Sequence, residues 1–178
     1  IEEEEKEMIN NVFEFNDKFV SEIMVPRNKI FAIDIDTTIS EVIERLSEDM
    51  RYSRIPVYDE NMDNIKGVVY IKDLLISTKN KNSKIKSLVK EAYFVSETKR
   101  VNELFQELRK DKKQIAIVLD EYGGTAGMVT MEDILEEIVG EIYDEYDKET
   151  DKFKKIDNNT FLIDASVALY DVEKFLDI

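Results

Sequence analysis

The chain has 178 residues, of which 43% are apolar, and this is enough for one compact domain or one domain with short appendages. Its 40 acidic residues outnumber its 25 basic residues and give a net charge of −15, which disfavours binding to nucleic acid or to an anionic membrane surface. Cysteine and histidine are both absent, so thiol nucleophiles, disulfides, imidazole bases and Cys/His zinc sites are excluded.

The first half of the chain alternates helix and strand patterns. Residues 2–23 are predicted to form a helix with an interrupted apolar stripe that Pro26 ends, and residues 30–33 a short strand. Thr38 and Glu41 form a capping box, which opens a helix with the apolar face Ile39, Val42, Ile43 and Leu46. Strands are predicted at 55–58 and 67–70, joined by a turn at 59–64, and a short helix follows around Asp73.

The same pattern then occurs a second time. Residues 93–95 repeat the first strand, and Val101, Leu104, Phe105 and Leu108 repeat the apolar helix face 62 positions on. Residues 116–120 repeat the next strand at an offset of 61, and residues 127–133 repeat residues 67–73 at an offset of 60. Four elements that match in the same order indicate an internal duplication.

The pattern of apolar and charged residues changes after Asp147. A charged linker is predicted at 144–155, and residues 153–156 and 161–163 are expected to pair as a hairpin around Asn158 and Asn159. A partial helix that contains Val172, Phe175 and Leu176 ends the chain. Since the chain also begins on Ile1 within a helical pattern, we expect it to be a piece of a larger protein, with the last residues starting a second domain.

The turn at residues 127–133 has two interpretations. Thr130 and Asp133 have the spacing of a helix N-cap and its acidic partner, which is a purely structural role. A helix N-terminus also presents free N–H groups to an anion, and a hydroxyl and a carboxylate one turn apart can bind the vicinal hydroxyls of a ribose. The duplication favours the second interpretation, because paired repeats form a cleft between them.

Two copies of strand–helix–strand–strand–helix, each closing on a Gly-to-Asp turn, resemble a tandem pair of cystathionine-beta-synthase (CBS) domains, a Bateman module. Four flanking segments resemble the CorC/HlyC (haemolysin-like, magnesium/cobalt efflux) family more specifically: residues 24–27, 52–58, 120–125 and 132–138. The resemblance implies an α+β (α/β) fold over residues 5–147. It implies a linker helix at 1–19, the repeats at 20–80 and 81–147, and a truncated start of the transporter-associated C-terminal domain at 148–178.

In this family an adenine nucleotide (AMP, ADP or ATP) lies in the cleft between the repeats. The resemblance assigns the ribose to Thr130 and Asp133. It assigns the adenine to a largely apolar set, which is typical of a nucleobase site: Phe31, Tyr52, Ser53, Ile55, Ile115 and Met128. The candidate phosphate contacts are Arg27, Arg51 and Arg54, although each is also explained as ordinary surface charge.

The first repeat departs from the pattern, because Tyr70 stands where the second repeat has Thr130. A tyrosine cannot cap the helix in the same way and its ring fills the ribose space, so the site at Tyr70 and Asp73 is predicted to be weak or empty. The acidic last helix, with Glu132, Glu136 and Glu137, is interpreted as a solvated face. We expect no protein-held metal, with Mg²⁺ arriving on a bound triphosphate instead.

The resemblance therefore implies a regulatory module at the cytoplasmic face of the cell membrane, without enzymatic activity. Its expected partners are a second copy of the chain, through the CBS pairs, and its own N-terminal membrane domain, which transports divalent cations such as magnesium or cobalt. No nucleic acid is expected, and FAD is not expected to bind the incomplete C-terminal domain. The alternative is a structural dimerisation module whose cleft binds nothing.

Overall fold

The computed structural model describes residues 3–47, 52–77, 82–140, 153–155 and 161–163. The chain divides into two compact units, Ile1–Gly140 and Glu141–Ile178. The first unit contains the first repeat, the second repeat as far as Gly140, and every candidate site residue.

The helices of the first unit flank two small sheets. The helices are α1 (Glu3–Phe15), α2 (Val20–Ile23), α3 (Ile39–Ser47), α4 (Ile71–Ile76), α5 (Val101–Lys110) and α6 (Met131–Val139), with single 3₁₀ turns at Arg27–Lys29 and Ile85–Leu88. The strands are β1 (Val25–Pro26), β2 (Ile33–Asp34), β3 (Arg54–Asp59), β4 (Asn61–Tyr70), β5 (Tyr93–Ser96), β6 (Ile115–Leu119) and β7 (Thr125–Thr130).

The two sheets have the same internal topology, as the duplication predicts. In the first, β2 pairs parallel with β3 and β3 pairs antiparallel with β4. In the second, β5 pairs parallel with β6 and β6 pairs antiparallel with β7. Each parallel pair is joined by a crossover helix, α3 or α5, because parallel neighbours cannot be joined by a tight turn. The predicted α+β fold with two equivalent repeats is confirmed.

Apolar side chains form one core in each repeat and a third cluster between the repeats. The core of the first repeat includes Ile33, Val42 and Leu74, and that of the second includes Leu104, Val118 and Ile134. The third cluster combines residues of β4 with residues of β6 and β7: Ile65, Val68, Ile115, Ile117 and Met128. The inter-repeat face is therefore an apolar contact between two sheets, and burial of this surface holds the repeats together.

The segment that precedes the first repeat packs on the second repeat. Phe15 and Val20 belong to the second core. The short strand β1 adds to the edge of β7, with Val25 opposite Met128. The order of the second sheet is thus β1-β7-β6-β5. The second repeat is consequently connected directly to α1 and α2.

Several local predictions are confirmed and others need correction. The capping box is present, since the Thr38 N–H donates to Glu41 Oε2 (2.8 Å) and the Glu41 N–H to Thr38 Oγ1 (3.3 Å). The helix expected at 2–23 is two helices, α1 and α2, broken where the apolar stripe is interrupted. The strand expected at 30–33 begins only at Ile33, because residues 27–29 form a 3₁₀ turn that Ile30 closes.

The turn expected at 59–64 is also shorter than predicted. Asp59 already pairs with Asn61, and Glu60 has a φ of 68° at the tip. Polar residues that suggested a loop therefore form the outer part of the long strand β4, which lies partly at the surface.

In the second unit, β8 (Phe153–Lys155) pairs antiparallel with β9 (Phe161–Ile163), with Phe153 opposite Ile163. This confirms the predicted hairpin. Asn158, Asn159 and the expected C-terminal helix lie outside the described residues. Among the residues that the structure describes, no helix combines the length and the apolar content needed to cross a bilayer.

Candidate functional site

The turn between β7 and α6 holds a hydroxyl and a carboxylate in a fixed arrangement. Thr130 is the N-cap of α6, and its Oγ1 accepts a hydrogen bond from the Asp133 N–H (3.2 Å). Asp133 Oδ2 accepts from both the Thr130 N–H and the Thr130 Oγ1–H, each at 2.7 Å. The capping interpretation is therefore confirmed. The same bonds orient both groups in advance at a helix N-terminus, where the dipole favours an anion.

The equivalent turn between β4 and α4 is built differently. Tyr70 is the N-cap of α4 and makes no side-chain capping bond. Asp73 instead lies 2.7 Å from Lys90 Nζ. The ammonium groups of Lys90 and Lys72 lie 4.8 Å and 5.6 Å from the centre of the Tyr70 ring, within range of cation–π attraction. The first repeat thus gives its acidic residue a cationic partner, Lys90, whose ammonium group also lies over the Tyr70 ring.

Phe31 and Tyr52 form a stacked aromatic pair next to the first core. Their ring centroids are 5.0 Å apart and their planes differ by 16°. Both rings are half-buried and pack against the core of the first repeat. Ser53 follows at an exposed position, and its carbonyl accepts from the Ile71 N–H at 3.1 Å. This pair is a flat, partly accessible apolar surface of the kind that a purine requires.

The three aliphatic candidates are all buried, although Ile115 (4%) and Met128 (8%) retain a small exposed fraction. Ile115 lies opposite Thr130 on the neighbouring strand, and both Ile115 and Met128 belong to the inter-repeat cluster. Ile55 is completely enclosed in the core of the first repeat. Its role in binding stays a prediction, and its side chain would reach a ligand only if that core opened.

Arg54 connects the first repeat to the turn that carries Thr130. Its two terminal nitrogens donate to Glu132 of α6, Nη1 to Oε2 at 3.1 Å and Nη2 to Oε1 at 2.9 Å. The Arg54 side chain is only 15% exposed, and its buried Nε has no hydrogen-bond partner among the described residues. Burial alone would raise the pKa of Glu132, but hydrogen bonds from Arg54 and the Glu132 backbone, with the charge of Arg54, bring it below its usual value.

The other two candidate arginines are placed differently. Arg27 donates to both carboxylate oxygens of Asp63 and to the Thr125 carbonyl (3.3 Å). Asp63 also accepts from the Thr125 N–H (3.0 Å), and the bond with Arg27 lowers the pKa of Asp63. Arg27 therefore joins the start of β7 to β4, and its hydrogen bonds are to Asp63 and Thr125. Arg51 lies outside the described residues.

The acidic residues of α6 do not converge. Glu132 pairs with Arg54, and Glu137 lies 2.5 Å from Lys18, between α1 and α2. Within the described ranges no three acidic side chains are grouped so that they could hold a metal ion. The sequence interpretation missed Lys90 and the pairing of Arg54 with Glu132. No local pattern encodes either contact, because the partners come from different parts of the chain.

Comparison with known proteins places the chain in a family. The CBS domain family matches residues 20–78 and 85–140. Hemolysin C of Brachyspira hyodysenteriae is 42% identical over 173 residues, which is 97% of this chain and 64% of that protein. The chain therefore spans somewhat less than two thirds of the length of this relative.

Two solved structures are similar in fold and sequence. One is the CBS domain of a bacterial CNNM/CorC family Mg²⁺ transporter in complex with ATP, with a TM-score of 0.73 and 45% identity, covering 78% of this chain and 99% of that one. The other is a CBS-domain pair with bound AMP from Klebsiella pneumoniae, with a TM-score of 0.59 and 34% identity, covering 68% of this chain and 98% of that one.

Proposed function

Because the chain belongs to the family of CBS domains, and within it to the CorC/HlyC group, we propose that it binds one adenine nucleotide in the cleft between its two repeats. The arrangement of Thr130 and Asp133 carries this proposal. The carboxylate is half-buried, is oriented by its bonds to Thr130, and has no lysine or arginine partner in the described part of the chain. The vicinal hydroxyls of a ribose can donate to such a carboxylate.

The remaining parts of the nucleotide have candidate partners of matching chemistry. The adenine would lie against the Phe31–Tyr52 pair on the core of the first repeat and reach Ile115 and Met128 of the inter-repeat cluster, while Ser53 offers polar groups at its edge. The phosphates would extend toward Arg54, whose guanidinium lies at the same turn. Mg²⁺ bound to the phosphates would offset their repulsion from a chain with a net charge of −15.

The biological role that we propose is regulation of an attached membrane domain that transports divalent cations. One route of coupling is direct: α6 begins at the nucleotide turn, and farther along it Glu137 pairs with Lys18 beside α1 and α2. A nucleotide that favours one position of α6 would thereby favour one position of α1 and α2. Such coupling requires that the ligand bind the two states unequally.

Titration calorimetry with ATP and with AMP, in the presence of Mg²⁺, tests the proposal. We expect saturable binding to the wild type and no measurable binding to Thr130→Ile, which loses the hydroxyl and places a branched side chain at the turn. Thr98→Ile is the matched control, since it makes the same substitution at an exposed loop position. Asp73→Ala should change the affinity by less than about twofold.

The result that contradicts the proposal is an absence of binding heat with wild-type protein whose circular dichroism shows an intact fold. That outcome would favour the alternative function, a structural dimerisation module with an unoccupied cleft. A parallel incubation with ATP and Mg²⁺, assayed for free phosphate, should show no release above the rate without protein.

A further inference from the structure

Each repeat contains a glycine at which another segment of the chain crosses closely. A Cβ atom on Gly67 would lie 2.2 Å from the carbonyl oxygen of Lys90, and one on Gly127 would lie 2.6 Å from that of Val25. Such distances are possible only for glycine. Since Gly67 and Gly127 are equivalent in the duplication, Lys90 and Val25 occupy equivalent crossing positions.

Backbone pairing supports this equivalence. Lys90 and Val68 exchange two hydrogen bonds of 2.9 Å, and Val25 pairs with Met128, which is 60 positions after Val68. The crossing segments are therefore fixed to the same point of each repeat. Their side chains differ in chemistry, one being a lysine and the other a valine.

Lys90 changes the chemistry of the turn between β4 and α4, which is the first turn, equivalent to the second turn between β7 and α6. Lys90 Nζ lies 2.7 Å from Asp73 Oδ2 and 4.8 Å from the centre of the Tyr70 ring. Asp73 is the dominant favourable partner of this ammonium and raises the pKa of Lys90. Val25 has no charge to offer at the second turn, and no cation of the described residues pairs with Asp133. The carboxylate of Asp73 is therefore neutralised within the chain. The carboxylate of Asp133 stays available to a ribose.

We propose that Lys90, together with Tyr70, closes the first repeat to nucleotides and so limits the module to one nucleotide per chain. This inference rests on the proposed function of the second repeat. A ribose at the first turn would have to displace the ammonium from Asp73 and would find no aliphatic hydroxyl at position 70. Lys90 is thus a specificity-determining residue, which acts by occupying the ribose-binding group.

The test converts the first repeat to the chemistry of the second. The double variant Tyr70→Thr/Lys90→Val introduces the residues found at the equivalent positions, Thr130 and Val25. Titration calorimetry with ATP and Mg²⁺ should show a stoichiometry of one nucleotide per chain for the wild type and two for the double variant. Tyr70→Thr alone should remain at one, because Lys90 still holds Asp73.

A second set of variants isolates the new site. In a Thr130→Ile background, which binds no nucleotide, Tyr70→Thr/Lys90→Val should restore one nucleotide per chain, and a further Asp73→Ala should remove it again. If the double variant is unstable, the milder pair Tyr70→Ser/Lys90→Met serves the same purpose. Thermal unfolding identifies which variants are folded.

Two outcomes overturn the inference. One is a wild type that already binds two nucleotides per chain. The other is a folded double variant, of either pair, that still binds only one. A wild type that binds none contradicts the proposed function itself, so the two failures are distinguishable.

Discussion

Glu132 places a negative charge at the point where phosphates are expected to arrive. It accepts two hydrogen bonds from Arg54, a residue of the other repeat. A bidentate arginine–carboxylate pair has the same geometry as an arginine–phosphate pair. Phosphate groups that approach Arg54 must therefore compete with Glu132 for the two terminal nitrogens, because the Nε of Arg54 is buried. The pair is thus expected to set the preference between nucleotides with one and with three phosphates.

Replacement of Glu132 by Gln tests this competition. We expect the affinity for ATP to rise by about fivefold to tenfold, which corresponds to about 1 kcal/mol, and the affinity for AMP to rise less. Titration calorimetry at a fixed salt concentration measures both. Glu136→Gln is the matched control, since it removes the same charge from an exposed position of the same helix. Equal effects of the two substitutions would show that only net charge matters.

The residues of the site differ in how far the sequence alone predicts them. Thr130 and Asp133 are found readily, because a capping box is a contact between positions three apart. The pair of Lys90 with Asp73 spans 17 positions, and Arg54 with Glu132 spans 78. These contacts depend on how segments cross in three dimensions. The sequence shows that Tyr70 replaces the threonine found at Thr130. No pattern in it indicates that Lys90 also acts at this turn.

At the scale of the elements, the edge strand β1 depends on a single glycine. β1 has only two residues, so its two-residue pairing with β7 contributes few hydrogen bonds. It lies against β7 because Gly127 has no side chain to separate Val25 and Met24 from the strand. This contact adds to the attachment of α1 and α2 to the second repeat, which Phe15 and Val20 also make through the core of that repeat.

We expect Gly127→Ala to lower the free energy of unfolding by about 1–3 kcal/mol, as overpacking of a closed contact does. Urea unfolding followed by circular dichroism measures the change. Gly67→Ala should behave similarly, because its Cβ would meet the Lys90 carbonyl. Ser87→Ala, at an exposed position, should change the stability by less than about 0.5 kcal/mol. An unchanged unfolding midpoint for Gly127→Ala would contradict the close crossing.

The repeated elements were predictable, whereas the partner of β1 was not. Helices α3 and α5 each place four apolar residues on one face, and this periodicity can be recognised in the sequence without knowledge of the fold. Strands β3 and β6 contain apolar runs bounded by turn residues, and β4 and β7 contain shorter ones in their second halves. A strand of two residues has no periodicity, and residues 24–27 indicate only a family resemblance and, at Pro26, the end of a helix. Long-range pairing of so short a segment is set by the tertiary structure.

At the scale of the whole molecule, the last helix of each repeat presents exposed apolar side chains. Leu75 of α4 and Leu135 of α6 are 60 positions apart and are 52% and 43% exposed. Ile76 and Val139 on the same two helices are exposed as well. The two repeats are related by duplication, so a second copy of the chain can offer a matching pair of helices. We therefore propose that these helices form the interface of the expected homodimer.

Substitution of both leucines by lysine tests this interface. We expect the wild type to sediment as a dimer and the double variant Leu75→Lys/Leu135→Lys as a monomer at the same concentration, because each interface would bury several unpaired ammonium groups. Phe94→Lys is the control, since Phe94 is similarly exposed on β5, the edge strand of the second sheet. Because neither leucine contributes to the turn at Thr130, the monomeric variant should still bind one nucleotide per chain. A double variant that remains dimeric would place the interface elsewhere, whereas a monomer without nucleotide binding would indicate that dimerisation supports the site.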